Sequence, residues 1–435
     1  MLFTAFPLLA EFVPDPTPWM VLPFVAMLLC IALLPIVLKH HWERHYHKIS
    51  VGLGLVSVAY YVFALHAHER LLSVGHDYIS FIALVGSLFV VAGGIHIRVK
   101  GGESKPWMNC VFLLIGSLLA NIIGTTGASM LLIRPWIRMN KYRFTGLHVA
   151  FFIFIVSNVA GSLTPVGDPP LFLGYLQGVP FWWVMEKCWH IWLFAICALL
   201  AIFYFFDRVN FLKAPRQVRE MQTAEHEGWK IEGLHNLFFL ALILGAVFVS
   251  KPGGLREAIM AAAAIGSYFA TKKPVHEANE FSFGPIKEVS WLFIGIFATM
   301  VPALDYLQHH AGSLGIREPV HFFWCSGLLS GVLDNAPTYL TFLAGAFGLH
   351  DLSLGNAAHM AQFQTQHGSY LAAISLGSVF FGALTYIGNG PNLMVKAIAD
   401  QSKVHTPNFF NYVFRFSLPL LVPVFVLVTL LFFRK

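Results

Sequence analysis

The chain has 435 residues; 57% are hydrophobic, only 11% are charged, and the formal net charge is +6. Ordinary soluble domains carry about 25% charged residues, so this composition excludes a typical soluble globular protein. Repeated apolar stretches of about 17 residues or more instead indicate a polytopic helical membrane protein. The basic residues fall mainly in loops that flank these stretches, so the positive charge does not indicate nucleic-acid binding.

The cysteines and the N-terminus exclude two further classes of protein. The five cysteines lie in apolar segments without CxxC or CxxH spacing, so we interpret them as packing residues rather than disulfide or metal ligands. They are Cys30, Cys110, Cys188, Cys197 and Cys325. The N-terminal sequence MLFTAFPLLAEFVPDP has no basic residue before its apolar part, so we expect no cleaved signal peptide.

Taken in chain order, the apolar segments predict an all-α polytopic fold. Residues 1–13 form a short apolar stretch that we interpret as an interfacial helix. The polar run 207–232 is the longest in the chain and predicts a cytoplasmic linker between two halves, 1–206 and 233–435. Candidate transmembrane spans lie at about 19–38, 49–66, 78–97, 180–206, 234–250, 255–270, 289–308 and 408–433.

Each half also contains interrupted apolar segments. Residues 107–132 are interrupted at IGTTGAS, and residues 319–345 are interrupted at LDNAPT, so each predicts a re-entrant hairpin. Broken transmembrane helices are predicted at about 145–178 and 370–400. Residues 346–368, between the second hairpin and the second broken helix, predict a polar loop.

The two predicted broken helices share one sequence motif. Residues 161–170 read GSLTPVGDPP and residues 382–391 read GALTYIGNGP, with a constant offset of 221 that places Asp168 opposite Asn389. Glycine and proline interrupt a helix and leave backbone groups without partners, which a membrane tolerates only inside protein or beside a polar cavity. Two matched breaks therefore indicate a transport site near the membrane midplane.

Loop charges predict the topology. If 107–132 is a re-entrant hairpin, four loops of the first half lie on one side and carry 15 Lys and Arg residues, whereas the opposite loops carry only Arg70. By the positive-inside rule that side is cytoplasmic. The loop 346–368 has no Lys or Arg, so the second half is predicted to have the opposite orientation, as in inverted-repeat transporters. The four basic loops are residues 39–48, 98–105, 133–144 and 207–232.

Four polar clusters fall at membrane depth, at the hairpin tips and the helix breaks. Free carbonyls at helix ends can bind a cation and free N–H groups an anion, while hydroxyl, amide and carboxylate oxygens suit a hard ion such as sodium. The clusters are residues 125–129, 157–168, 334–338 and 385–392.

Two intramembrane carboxylates, Asp334 and Asp168, are the strongest candidates for ion coupling. Burial favours the protonated form and a bound cation favours the ionised form, so one carboxylate can exchange a proton for sodium. The alternative is a carboxylate that only caps a broken helix. We expect Asp334 to be the main coupling residue and Asp168 to matter less, because the counterpart of Asp168 is already Asn389.

Other ionisable residues are weaker candidates. Glu288 and Asp305 could couple to an ion but are expected to be interfacial. Lys396 could balance a site carboxylate but is expected to extend towards the membrane surface. The run HHWERHYHK, residues 40–48, could place His41 and His45 on one helical face as a metal site or pH sensor, but a solvated cytoplasmic loop is the preferred interpretation.

The motif at 161–170 resembles the G-G-x-x-T-x-x-G-D-P-P signature of the ion-transporter superfamily. That superfamily contains NhaD-type sodium/proton antiporters, arsenite permeases, citrate and dicarboxylate transporters and the melanosomal P protein. LDNAPTYLTF is similar to the second hairpin tip of these proteins, and GASMLLIRPWIRMN to the exit from their first hairpin. The resemblance covers about residues 100–400 and is specific for the superfamily rather than for the substrate.

The resemblance implies a homodimer whose protomers each contain a scaffold domain and a transport domain. This sequence departs from the family pattern in two places. Thr125-Thr126 stands where antiporters often have Asp-Asn, and Leu171 stands where an Asn usually follows the motif. The ion- and substrate-binding residues it implies are Thr125, Thr126, Ser157, Asn158, Thr164, Asp168, Asp334, Asn335, Thr338, Thr385, Asn389 and Asn392, with sodium at Asp334 and Asp168.

The sequence as a whole predicts a multi-pass inner-membrane secondary transporter, a sodium/proton antiporter in the first instance. A carrier of an organic anion or oxyanion, such as citrate, a dicarboxylate or arsenite, is the leading alternative, and a channel or membrane receptor is a third. No Arg lies at a tip or a break, which favours cation exchange over anion transport. We expect no enzyme activity, no cofactor, no nucleotide-binding loop and no nucleic-acid partner, only the lipid bilayer and small ions such as sodium and the proton.

Overall fold

The computed structural model describes residues 14–99, 105–213, 229–249, 251–404 and 406–434. The described chain is mainly helical, with one two-stranded sheet, so the predicted all-α fold is confirmed. The main helices are Leu22–Val37, Lys39–Phe63, His68–Gly93, Pro106–Met139, Gly146–Ile155, Pro169–Leu176, Trp183–Lys213, Asn236–Val247, Leu255–Ala270, Lys273–Ala278, Gly284–His310, Pro319–Ser330, Asn335–Leu349, Ala357–Gln366, Gly368–Phe381, Gly390–Gln401 and Phe409–Tyr412, which continues through π-helical and α-helical turns to Phe433.

The first hairpin is the continuous helical segment Pro106–Met139, which turns back on itself at Gly124. Gly124 has φ +76° and ψ 156°, a backbone conformation that glycine adopts readily. The two arms pack antiparallel, because Asn109 Nδ2 lies 2.9 Å from Asn140 Oδ1 although a straight helix would hold these residues about 46 Å apart. By length and composition alone this segment would count as one membrane span, but the contact between Asn109 and Asn140 shows that its two arms fold back on each other.

The second hairpin consists of helices Pro319–Ser330 and Asn335–Leu349, which flank a break at residues 331–334. The rings of Phe322 and Phe342, one on each arm, have centroids 6.2 Å apart, so these arms also fold back on each other.

The two broken helices adopt the same conformation at their shared motif. In the first, Thr164 Oγ1 donates to the carbonyl oxygen of Asn121 at 2.7 Å and accepts from the N–H of Gly167. In the second, Thr385 Oγ1 donates to the carbonyl oxygen of Gly331 at 2.7 Å and accepts from the N–H of Gly388. In both cases the threonine of the break is tied to the end of the first arm of its own hairpin.

The short antiparallel strands His96–Val99 and Trp229–Glu232 pair with each other, so the chain leaves His68–Gly93 and enters Asn236–Val247 at the same face. Arg143 and Asp207 form a buried ion pair that joins the exit of the first hairpin to the end of Trp183–Lys213.

We call the face that contains the strands His96–Val99 and Trp229–Glu232 the β face. The sequence predicts that this face is cytoplasmic.

By length and composition six described helices could cross a membrane, a count that includes the hairpin Pro106–Met139, and the number is seven if the bent pair that starts at Ala357 is one span. The protein is therefore a multi-pass membrane protein. The predicted interfacial helix at 1–13, and parts of the predicted loop 98–105 and linker 207–232, lie outside the described residues.

Two predicted loops were wrong. The histidine-rich run 40–48 is not a loop but belongs to helix Lys39–Phe63, where the rings of His41 and His45 stack with centroids 4.4 Å apart. Residues 346–368 contain helix Ala357–Gln366, which is bent by 93° from the helix that follows. Hydropathy marks only the apolar part of a helix, so it misses polar turns that extend beyond the membrane.

Candidate functional site

The carboxylate of Asp168 lies where both hairpins and both broken helices meet. Thr125 Oγ1 donates to Asp168 Oδ1 at 2.6 Å, and Asn389 Nδ2 donates to the same oxygen at 3.0 Å. Asn335 Nδ2 donates to Asp168 Oδ2 at 2.5 Å. Asp168 is 1% exposed, and among the described residues no Lys or Arg side chain donates to it. Three neutral donors therefore hold a buried carboxylate.

Four helices also begin at this carboxylate. Asp168 and Asn389 are the N-cap residues of Pro169–Leu176 and Gly390–Gln401. Thr125 and Asn335 are the first residues of the second hairpin arms. Helix N-termini carry partial positive charge and favour an anion nearby. The four N-termini supply the electrostatic compensation that a basic side chain would otherwise provide.

A chain of amide side chains extends from Asn389 across the interface between the broken helices. Asn389 Nδ2 lies 3.2 Å from both Asn158 Oδ1 and the carbonyl oxygen of Ser157. Asn158 Nδ2 in turn donates to Asn392 Oδ1 at 2.8 Å. Asn392 Nδ2 donates to the carbonyl oxygens of Gly382 and Thr385 in the second break. The amides thus satisfy carbonyl groups that the interrupted helices leave without partners.

Asn335 has one unused polar atom. The residue is 1% exposed, and its Oδ1 has no hydrogen-bond partner although its Nδ2 contacts Asp168. Buried polar atoms are normally paired, so an exception beside a buried carboxylate needs an explanation. A bound cation would use this oxygen as a ligand together with the carboxylate.

Asp334 is close in sequence to Asn335 but has a different local role. Its side chain accepts from the N–H of Ala336 at 3.0 Å, and its carbonyl oxygen accepts from Thr338 Oγ1. Asp334 therefore caps the second arm of its hairpin, which is the alternative considered from the sequence.

The remaining predicted site residues lie around this centre. Ser157 Oγ contacts Ser129 Oγ at 2.8 Å and links the first broken helix to the first hairpin. Thr126 is half-buried and lines a cavity of about 30 Å³ together with Thr125 and Asp168. One or two water molecules fill a cavity of this size, so it has no room for a larger ligand in this conformation.

Three residues that the sequence treated as weak candidates lie elsewhere. Lys396 pairs with Asp400 at 2.6 Å on its own helix. Glu288 is exposed at the start of Gly284–His310. Asp305 was expected to be interfacial, but it is fully buried and contacts Tyr61 and Arg70.

Asn121 anchors the first break and was not among the residues predicted from the sequence. Its Nδ2 donates to the carbonyl oxygen of Ala160, and its Oδ1 accepts from the N–H of Leu163 at 3.1 Å. The sequence did contain a signal for this residue, because Asn121 is a polar amide within the otherwise apolar first arm of the hairpin.

The described residues contain no group of three or more His, Cys, Asp or Glu side chains arranged to hold a metal ion, so the histidine run does not form such a group. The candidate site is thus one of hydroxyl, amide and carboxylate groups at converging helix ends.

Comparison with known proteins identifies a family for this chain. No curated protein matches the chain. A family model described as "Putative citrate transport" matches residues 15–433, which is almost the whole chain. This match also agrees with the ion-transporter superfamily suggested by the motif at 161–170. The chain therefore belongs to this citrate-transport family.

Proposed function

We propose that this protein is a cation-coupled secondary transporter of a carboxylate anion of the citrate type. The observation that carries the proposal is the convergence of four helix N-termini on one buried site. Such a site favours negative charge without a basic side chain. The family match supports a carboxylate as the transported anion.

Coupling follows from the carboxylate of Asp168. While ionised and without a cation, it occupies the positive helix ends and repels a second carboxylate. A sodium ion or proton on Asp168 removes this repulsion, and Asn335 Oδ1 supplies a further oxygen for sodium. The substrate anion then interacts with the helix N-termini, so both species move together.

We propose Asp168, rather than Asp334, as the main coupling residue. The sequence ranked them in the opposite order. Asp168 receives hydrogen bonds from both hairpin tips and from the second break, whereas Asp334 caps its own helix.

Sodium/proton antiport is the second candidate. It is favoured by the pairing of a buried carboxylate with an unpartnered amide oxygen, which together form a cation site without any need for an anion. We further propose that the protein lies in the inner membrane as a homodimer of inverted repeats, with the β face cytoplasmic.

Uptake by proteoliposomes distinguishes the two candidates. Labelled citrate is offered with an inward sodium gradient, an inward proton gradient or neither, and a trapped pH-sensitive dye reports proton movement. We expect citrate to accumulate only with a cation gradient, and protein-free liposomes provide the background. Sodium-driven proton movement in the absence of citrate, with no citrate accumulation, would favour antiport instead. Lithium and arsenite gradients extend the same assay.

A further inference from the structure

A second cavity lies between the first broken helix and two neighbouring helices, on the face opposite the β face. It has a volume of about 330 Å³ and is lined by His76 and Asp77 of His68–Gly93, Tyr175 of Pro169–Leu176, and Arg256 of Leu255–Ala270. Ligand pockets for small molecules are typically about 300 Å³ or larger. This outer cavity can therefore hold a di- or tricarboxylate, unlike the cavity beside Asp168.

The arginine of the outer cavity is fixed in position. Arg256 Nε donates to Glu257 Oε1 at 2.9 Å, and its Nη2 donates to Ser80 Oγ at 2.8 Å. Ser80 Oγ donates in turn to Glu257 Oε1. These contacts use two of the five N–H donors of a guanidinium, and only 13% of the side chain is exposed. The arginine is thus pre-organised with donor capacity beyond these contacts.

The cavity also contains a carboxylate with the opposite effect. Asp77 Oδ2 accepts from Gln177 Nε2 at 2.9 Å and is half-buried. An anion in the cavity is attracted by Arg256 and repelled by Asp77, so removing either charge should change its affinity in opposite directions.

The outer end of the first broken helix forms part of this cavity and is held by its neighbours. Gln177 contacts Asp77, and Tyr175 Oη donates to the carbonyl oxygen of Val247 at 2.8 Å. Tyr175 lies seven residues beyond Asp168 in sequence, which corresponds to about 10 Å along a helix. A ligand in the outer cavity would therefore contact the same short helix that begins at Asp168.

We propose that the outer cavity is a second binding site, at which a di- or tricarboxylate first docks on Arg256 before it reaches the site at Asp168. This inference rests on the proposed carboxylate transport and adds an entry site to it. It also supplies the arginine that the sequence did not place at any hairpin tip or helix break.

Citrate binding to the purified full-length protein, measured by isothermal titration calorimetry, tests the entry site. Arg256→Gln should weaken binding about ten- to hundredfold, because it removes a charge-assisted donor pair. Asp77→Asn should tighten binding severalfold, because it removes the repulsive charge and keeps an acceptor for Gln177. Arg256→Lys, which retains the charge, should keep more affinity than Arg256→Gln. The exposed Arg317→Gln is the matched control and should bind as wild type.

The Asp168→Asn background separates the two sites. Because the two residues lie in separate sites, adding Arg256→Gln to Asp168→Asn should weaken citrate binding by the same ten- to hundredfold factor as it does in the otherwise wild-type protein. Wild-type affinity in Arg256→Gln, or weaker binding in Asp77→Asn, would overturn the entry site while leaving carboxylate transport intact. A wild-type protein that neither binds nor transports any carboxylate would instead refute the proposed function, and the entry site with it.

Discussion

Replacing Asp168 by Asn is the most direct test of the coupling mechanism. The change keeps the shape of the side chain but removes its charge. A cation that binds directly to the carboxylate of Asp168 lies about 3 Å from the centre of the negative charge. At an effective dielectric constant of about 20, a unit charge at that distance contributes roughly 5 kcal/mol. We therefore expect cation affinity to fall by about three to four orders of magnitude.

The fold should survive this substitution. An asparagine at 168 offers one acceptor for Thr125 or Asn389 and two donors. The amide of Asn335 can rotate so that its unpartnered Oδ1 accepts one of those donors. Each of the three hydrogen bonds loses about 1 kcal/mol as its acceptor becomes neutral, and the cost of burying a charge disappears at the same time.

The assay is cation-driven citrate uptake into proteoliposomes with equal amounts of folded protein, verified by size-exclusion chromatography. Asp168→Asn should give no sodium-driven accumulation of citrate, whatever the sodium gradient. Asp334→Asn is the matched control, and it should retain at least about half of the activity, because Asn is as good an N-cap as Asp. Uptake by Asp168→Asn at the wild-type rate, or a complete loss confined to Asp334→Asn, would refute the reasoning and restore the order of importance expected from the sequence.

Three further predictions concern topology and stability. Cysteines introduced at Lys141 and Lys230 should be labelled from the same side of the membrane and one at His359 from the other; labelling of the first two from opposite sides would contradict the hairpin. Arg143→Met should destabilise the protein by about 3–5 kcal/mol, because Asp207 is fully buried, whereas Arg143→Met combined with Asp207→Leu should recover much of the melting temperature in detergent. Burial and the neighbouring ring of His367 lower the pKa of His350, so protonation favours the unfolded chain. The melting temperature should therefore fall as the pH is lowered from about 8 to about 5, and it should fall less in His350→Gln. An equal fall in both proteins would exclude this residue as the cause.

The hairpins and breaks could be predicted from the sequence because their signals are local. Glycine and proline mark the interruptions, and the basic residues after 107–132 require the chain to leave on the side that it entered. The arrangement around Asp168 could not be predicted in this way. Its donors lie 43, 167 and 221 positions away in the chain, at distances that no local pattern encodes. For the same reason the sequence does not distinguish Asp334, which caps its own helix, from Asp168, which lies at the centre of the site.

The two copies of the repeated motif meet at the candidate site. Asp168 and Asn389 are equivalent positions of the repeat, offset by 221 residues, and they are hydrogen-bonded to each other at 3.0 Å. Equivalent residues touch only where the pseudo-twofold axis passes between them. Two carboxylates at such a position would lie close enough to repel strongly, and only one could be ionised. An Asp paired with an Asn avoids this repulsion, because the amide donates to the carboxylate. The asymmetry between GDPP and GNGP therefore leaves a single negative charge on the axis, where one cation can neutralise it.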